Sequence, residues 1–223
     1  MAKIPAVSLP TVIAIDGPVA SGKSAVGRSL ARRLSYRFVD TGLMYRACTL
    51  LALRAAADIS DAPTLERIAH AHRMDIVVSP EGERLVVDGE DVTPDLRTAE
   101  VERHVSDVAK VAGVRTAMVD QQRRMAEEGR VVMVGRDIGS KVLPDAAKVY
   151  LEASADVRVQ RRFAELGGKA TEAEVRANLE LRDRIDSQRA ESPLVVADDA
   201  VVVHTDALDV DGVVDEIVRV LTR

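Results

Sequence analysis

Thr11-Val12-Ile13-Ala14-Ile15, followed one residue later by Gly17-Pro18-Val19-Ala20-Ser21-Gly22-Lys23-Ser24, decides the fold. The second piece fits the phosphate-loop pattern G-x-x-x-x-G-K-[ST] at every fixed position. The first is a short apolar, β-branched run that reads as a buried strand. Beyond the loop, Val26, Leu30 and Leu34 recur at helical spacing, with Arg28, Arg32 and Arg33 between them. Strand, glycine-rich loop and helix therefore stand in the order that phosphate binding requires. Gly17 and Gly22 permit a tight turn and close approach of backbone N–H groups to phosphate oxygens. The helix starting near Lys23 directs its positive end at the anion. Lys23 can reach the outer phosphates, and the Ser24 hydroxyl can hold Mg²⁺ directly or through water.

Composition narrows the classes. The 223 residues suit one α/β domain with an insertion or two small domains. A net charge of −5 argues against general affinity for nucleic acid or an anionic membrane. Aromatic residues make up 2% and Trp is absent, so stacking platforms for single strands are not expected. Any polyanionic ligand must meet a local concentration of Arg and Lys. Cys48 is the one cysteine, which excludes an internal disulfide and points to a reducing, cytoplasmic setting; it reads as a buried structural thiol. Met1 to Pro10 reads as a flexible lead-in without the apolar core of a signal peptide, and no run is long enough to span a bilayer.

Further strands are read at Tyr36–Asp40, Arg130–Val134, Ala147–Leu151 and Ala200–His204. With the first they make five short, mostly non-alternating apolar strands separated by helices. That pattern predicts a parallel sheet covered on both faces, an α/β fold with ligands at the carboxyl ends of the strands. Asp40-Thr41-Gly42 is a turn and cap before a helix from about Leu43 to Ala57. Asp61 caps a helix through His72. Met74–Ser79 and Arg84–Val87 alternate and are joined by Pro80-Glu81-Gly82-Glu83 as a hairpin, with a further turn over Asp88–Asp91. A helical region over 96–128 is expected to break near Ala112-Gly113. Gly135–Ser140 reads as a charged loop, Ser154 as a helix cap, Gly167-Gly168-Lys169 as a break, and Val213–Leu221 as a closing helix. The core domain is thus 1–59 with 96–223, carrying an insertion over 60–95 and a lid over about 164–191.

Arginines come after the strands: Arg46, Arg136, the Arg158/Arg161/Arg162 group, and Arg182 with Arg189. Guanidinium groups make forked bonds to phosphate and keep their charge. Several in one crevice fit a second phosphorylated molecule beside a triphosphate. Arg32, Arg33, Arg123, Arg124 and Arg219 read as solvated helix faces, and His70, His72, His104 and His204 do not make a metal site. No Asn-Lys-x-Asp run of guanine-specific GTPases is present.

Asp40-Thr41-Gly42-x-x-Tyr45-Arg46, Gly135-Arg136-Asp137-Ile138-Gly139 and Arg182-x-x-x-Asp186-x-x-Arg189 together resemble the motifs of bacterial cytidylate kinases, in the same order over almost the whole chain. The resemblance implies the P-loop nucleoside monophosphate kinase fold, with an insertion in the monophosphate-binding region. It implies transfer of the γ-phosphoryl group of ATP to CMP or dCMP with Mg²⁺, by a monomer without nucleic-acid or membrane partners. ATP would lie on Gly17, Pro18, Val19, Ala20, Ser21, Gly22, Lys23, Ser24 and Ala25. Thr41, Arg46, Ser106, Arg115, Arg136, Asp137, Arg182, Asp186 and Arg189 would hold the monophosphate. Lys23, Arg136, Arg182 and Arg189 would neutralise charge on the transferred group. Asp186 would accept from ribose hydroxyls; its bland alternative is a surface pair with Arg182 at (i, i+4). The rival functions are another small-molecule kinase on this fold, and an ATP-gripping regulatory module.

Overall fold

The computed structural model describes residues 9–79 and 82–222. Residues 1–8 of the lead-in and Pro80-Glu81 of the hairpin turn lie outside the described residues. The chain runs from β1 (Val12–Asp16) through the glycine loop into α1 (Lys23–Leu34), β2 (Arg37–Asp40) and α2 (Thr41–Arg54). Next come α3 (Ala62–Ala71) and three strands, β3 (Met74–Ser79), β4 (Gly82–Val87) and β5 (Glu90–Asp91). Helices α4 (Ala99–Ala109) and α5 (Ala112–Ala126) lead to β6 (Val131–Gly135), and one wide helical turn (Ile138–Val142) precedes β7 (Ala147–Glu152). The rest is α6 (Ala155–Leu166), α7 (Glu172–Ser187), β8 (Val201–His204) and α8 (Val210–Leu221).

The main sheet is parallel throughout, in the order β2-β6-β1-β7-β8. Alternate strand residues enter two different cores. Ile13, Ile15, Phe38, Val132 and Val134 pack with α1 and α8, while Ala14, Val39, Val131 and Met133 pack with α2, α5 and the small sheet. Both faces are covered, which is why the strands read as continuous apolar runs. Strand order places β1 between β6 and β7, so the glycine loop emerges beside the segments that continue from both neighbours.

Several expected boundaries move for identifiable reasons. Helix α2 starts at Thr41, not Leu43, because the Asp40 carboxylate accepts the Gly42 N–H 3.0 Å away and caps it. Glu90-Asp91 is a third strand on Val86-Val87, and the turn contracts to Asp88-Gly89, both at positive φ. The helical break falls at Lys110-Val111, and Ala112-Gly113 open α5. Gly113 marks a crossing: a Cβ there would run into the Glu66 side chain of α3. Ile138–Val142 is helical because both carboxylate oxygens of Asp16 accept its leading N–H groups, from Ile138 at 2.9 Å and Gly139 at 2.8 Å. Arg123 and Arg124 are not simply solvated. They donate to the Val142 and Lys141 carbonyls and to the Met74 carbonyl, respectively.

Gly27 lies where α1 crosses the sheet, and a Cβ would stand 2.8 Å from the Phe38 ring, with Val134 also in its way. Helix propensity alone favours Ala there by about 1 kcal/mol. The crowding reverses that sign, and Gly27→Ala is expected to destabilise by about 1–3 kcal/mol. Urea denaturation checks this; a stabilised variant would show that α1 can retreat from the sheet freely.

Candidate active site

The glycine loop is shaped by close approach. A Cβ on Gly17 would run into the Leu151 carbonyl oxygen of β7, so the loop leaves β1 in contact with the neighbouring strand. Ala20 and Gly22 take left-handed conformations, with φ of 59° and 95°. The Lys23 ammonium lies back along the loop, donating to the Pro18 carbonyl at 2.6 Å and the Ser21 hydroxyl at 3.3 Å. Burial, and then the nearby Arg136 charge, push its pKa well below the ordinary 10.5. Arg158 and Arg161 of α6 brace the loop from outside through the Val19 and Ser21 carbonyls. Of the three clustered arginines in α6, Arg162 is the one that lines the cleft.

Facing the loop is an open cleft of about 250 Å³. All nine residues expected around a monophosphate line it: Thr41, Arg46, Ser106, Arg115, Arg136, Asp137, Arg182, Asp186 and Arg189. Val19, Ala20, Gly22, Lys23, Ser24 and Ala25 form the opposite side; Gly17, Pro18 and Ser21 shape the loop without lining the cleft. Arg115 and Asp137 pair in its wall, their side chains 4% and 5% exposed. Arg115 also donates to the Ala109 carbonyl and stacks over the Tyr45 ring at 5.3 Å. The Thr41 hydroxyl donates to the Val134 carbonyl at 2.9 Å, tying the start of α2 to β6.

Asp186 departs from its surface-pair alternative. It is 3% exposed and holds Arg136, at 2.8 Å, and Arg189. Burial would raise its pKa, but the two guanidinium groups outweigh that and hold it below the ordinary value. Arg182 reaches away to Glu102 at 3.3 Å, because α7 turns it towards α4. The Nε–H groups of Arg115, Arg182 and Arg189 are buried without an acceptor among the described residues. Such groups are costly to leave unmade.

Sequence reasoning misses three acidic residues. Asp16 ends β1 and organises the turn after Asp137. Asp40 accepts the Ser24 hydroxyl at 2.6 Å. Glu102 gathers Arg46, Arg162 and Arg182. The position of Asp16 and Asp40 at strand ends, against the loop and its helix, is a usable signal; nothing local distinguishes Glu102. Ser24 and Asp40 together offer hard oxygen donors beside the loop lysine, a donor set that fits Mg²⁺.

A sequence profile described as cytidylate kinase matches residues 13–223. The chain belongs to the cytidylate kinase family. A cytidylate kinase of Bacillus licheniformis is 45% identical over 216 residues, covering 95% of this chain and 96% of the relative. One from Rhodococcus opacus is 45% identical over 217 residues, covering 95% of each chain. Among solved structures, an uncharacterised protein from Eubacterium ventriosum superposes with a TM-score of 0.53 at 14% identity, covering 94% of this chain and 97% of that one; it supports the fold alone. No helix among the described residues is long and apolar enough to cross a membrane.

Burial raises the Asp16 pKa from 3.8 to about 6, the two backbone N–H bonds opposing it only in part. The native state therefore binds this proton more tightly than the unfolded chain. Its contribution to stability is full below pH 3.8 and is lost as the pH rises through about 6. The swing is about 3 kcal/mol. Urea denaturation at about pH 4.5 and about pH 7.5 should show a pH dependence in the parent that Asp16→Asn reduces; equal pH dependence in both would place the buried proton elsewhere.

Proposed function

We propose that the protein is an ATP-dependent cytidylate kinase, moving the γ-phosphoryl group of ATP to CMP or dCMP. The observation that carries this reading is the buried Arg115–Asp137 pair sharing a cleft with the phosphate loop. Cytosine presents an amine at N4 and acceptors at N3 and O2. The Asp137 carboxylate accepts from the amine, and Arg115 with the Ser106 hydroxyl serves the acceptors. Uracil would set a carbonyl against the carboxylate, leaving buried polar groups unpaired.

The acceptor phosphate has its second pKa near about 6, so it arrives largely as a dianion and needs no general base. The protein's work is alignment and charge neutralisation. Lys23 and the loop N–H groups hold the donor phosphates, and Arg46, Arg136, Arg182 and Arg189 hold the acceptor phosphate and the group in transit. Asp186 fixes Arg136 and Arg189 through buried pairs and presents its carboxylate towards the ribose. Ser24 and Asp40 would hold Mg²⁺, which supplies further neutralisation of the phosphate oxygens when bound.

The same reading assigns residues 1–59 and 96–223 to the kinase core and 60–95 to an insertion on the acceptor side. Residues 164–191 form a lid. Gly167 and Gly168, at φ of 56° and 82°, join α6 to α7 and supply its hinge. Closure would exclude water that could otherwise accept the phosphoryl group. The single buried cysteine fits a cytoplasmic setting.

A coupled assay of ATP with CMP, dCMP, UMP, AMP and GMP tests the assignment. Fastest turnover on the cytidine nucleotides supports it; preference for another monophosphate selects the other-kinase reading, and no diphosphate at all selects the regulatory module. Lys23→Ala is expected to lower kcat by about 10²-fold or more while the protein keeps its melting temperature. Near-parent kcat would remove Lys23 from the reaction. Asp137→Asn is expected to reduce the CMP over UMP ratio of kcat/KM by about tenfold or more, and an unmoved ratio would take base reading away from Asp137.

A further inference from the structure

The acceptor side of the cleft carries more cationic charge than its own acidic residues balance. Arg115 is matched by Asp137, and Arg136 with Arg189 by Asp186. Arg46 and Arg182 remain, from α2 and α7, beside Arg162 of α6, which Glu165 meets at 3.0 Å; all three arginines line the cleft. Unbalanced, they would repel one another. Burial lowers the Arg182 pKa to about 10, and the charges of Arg136 and Arg46 act in the same direction.

Glu102 of α4 meets all three. Its Oε1 accepts from Arg46 Nη2 at 2.9 Å and Nε at 3.2 Å. Its Oε2 accepts from Arg182 Nη1 at 3.3 Å and lies 3.8 Å from Arg162 Nη2. The Glu102 side chain is 20% exposed, and the residue is not part of the cleft lining, so the carboxylate stands behind the arginines. Arg46 is fixed at a further point by donating Nη1–H to the Gly42 carbonyl at 3.2 Å, which leaves N–H groups over for a ligand. Burial would raise the Glu102 pKa, but Arg46 and Arg182 outweigh it and keep the carboxylate charged.

We propose that Glu102 is a positioning residue for phosphoryl transfer: its carboxylate holds arginines from α2, α6 and α7 in one geometry, so that an arriving monophosphate meets a preformed cation cluster. This rests on the cytidylate kinase reading. A cluster oriented before the substrate arrives need not be reorganised during the reaction. Because Arg46 belongs to the acceptor wall and Arg182 to α7, one carboxylate also ties the proposed lid to the acceptor side.

The test is steady-state kinetics of Glu102→Gln and Glu102→Asp, with thermal melts as the folding control. Glu102→Gln keeps shape and loses charge. It should lower kcat/KM for CMP by about tenfold, leave KM for ATP within about twofold, and melt near the parent. Glu102→Asp keeps the charge and should recover part of the loss. In an Arg46→Ala background the cost of Glu102→Gln should shrink, since the residue acts through that arginine. An unchanged kcat/KM for CMP, a full additive cost in the Arg46→Ala background, or tighter CMP binding in Glu102→Gln would each overturn the proposal; the last would make the carboxylate a competitor of the phosphate. If Glu102→Gln does not fold, Glu102→Ala, which also removes the charge, carries the same comparisons. Parent enzyme that turns over no CMP would fail the kinase reading itself, a result separable from any of these.

Discussion

Like charges must be held close together before the ligand that reconciles them arrives, and the rest of the structure answers to that constraint. Eight cationic side chains line the cleft against four acidic ones, in a chain whose overall charge is −5. The local excess suits two polyanionic nucleotides, and six of the seven lining arginines are held by carboxylates. Asp137, Asp186 and Glu102 hold most of them from three elements: the segment after β6, α7 and α4. Each accepts from arginine while buried or half-buried, where Coulomb attraction is less screened than at the surface. The acidic residues of this cleft are therefore better understood as organisers of the arginines than as an opposing charge.

The sheet makes that crowding possible. With β1 between β6 and β7, the phosphate loop, the Arg136-Asp137 segment and the chain leading into α6 leave the same edge. Gly17 passes the Leu151 carbonyl without a side chain, and Asp16 reaches across to the N–H groups of Ile138 and Gly139. The loop, the segment after β6 and the chain entering α6 are thus mechanically one unit. The small sheet of β3, β4 and β5 adds apolar residues to the core beneath α2, and none of its described residues lines the cleft.

Much of this is legible in the chain because it is local. A phosphate loop is a run of eight residues, and the caps at Asp61, Ser154 and Gly167 are set by neighbours three or four positions away. Family motifs then bring the nine acceptor-side positions into view together. The features that escape depend on contacts across the fold. Asp40 reads as a cap and is one, yet it also receives Ser24 from sixteen residues earlier. The sequence offers Arg182 to Asp186 as an alternative (i, i+4) partner, but the turn of α7 gives Arg182 to Glu102, eighty positions away. Gly113 reads as a helix breaker because intrinsic propensity penalises glycine there; a helix crossing makes it necessary. Such roles are fixed by which surfaces meet, and a periodic pattern carries no record of that.

The stacking of Tyr45 under Arg115 has an optical consequence. The chain contains no tryptophan and only three tyrosines, so its near-ultraviolet emission is tyrosine emission. Tyr36 lies under Arg130 and Tyr150 on β7, but of the three only Tyr45 lines the cleft, against the Arg115 guanidinium. The protein thus carries a chromophore in the wall of the cleft, beside the Arg115–Asp137 pair, and tyrosine emission reads the surroundings of that wall without any attached dye.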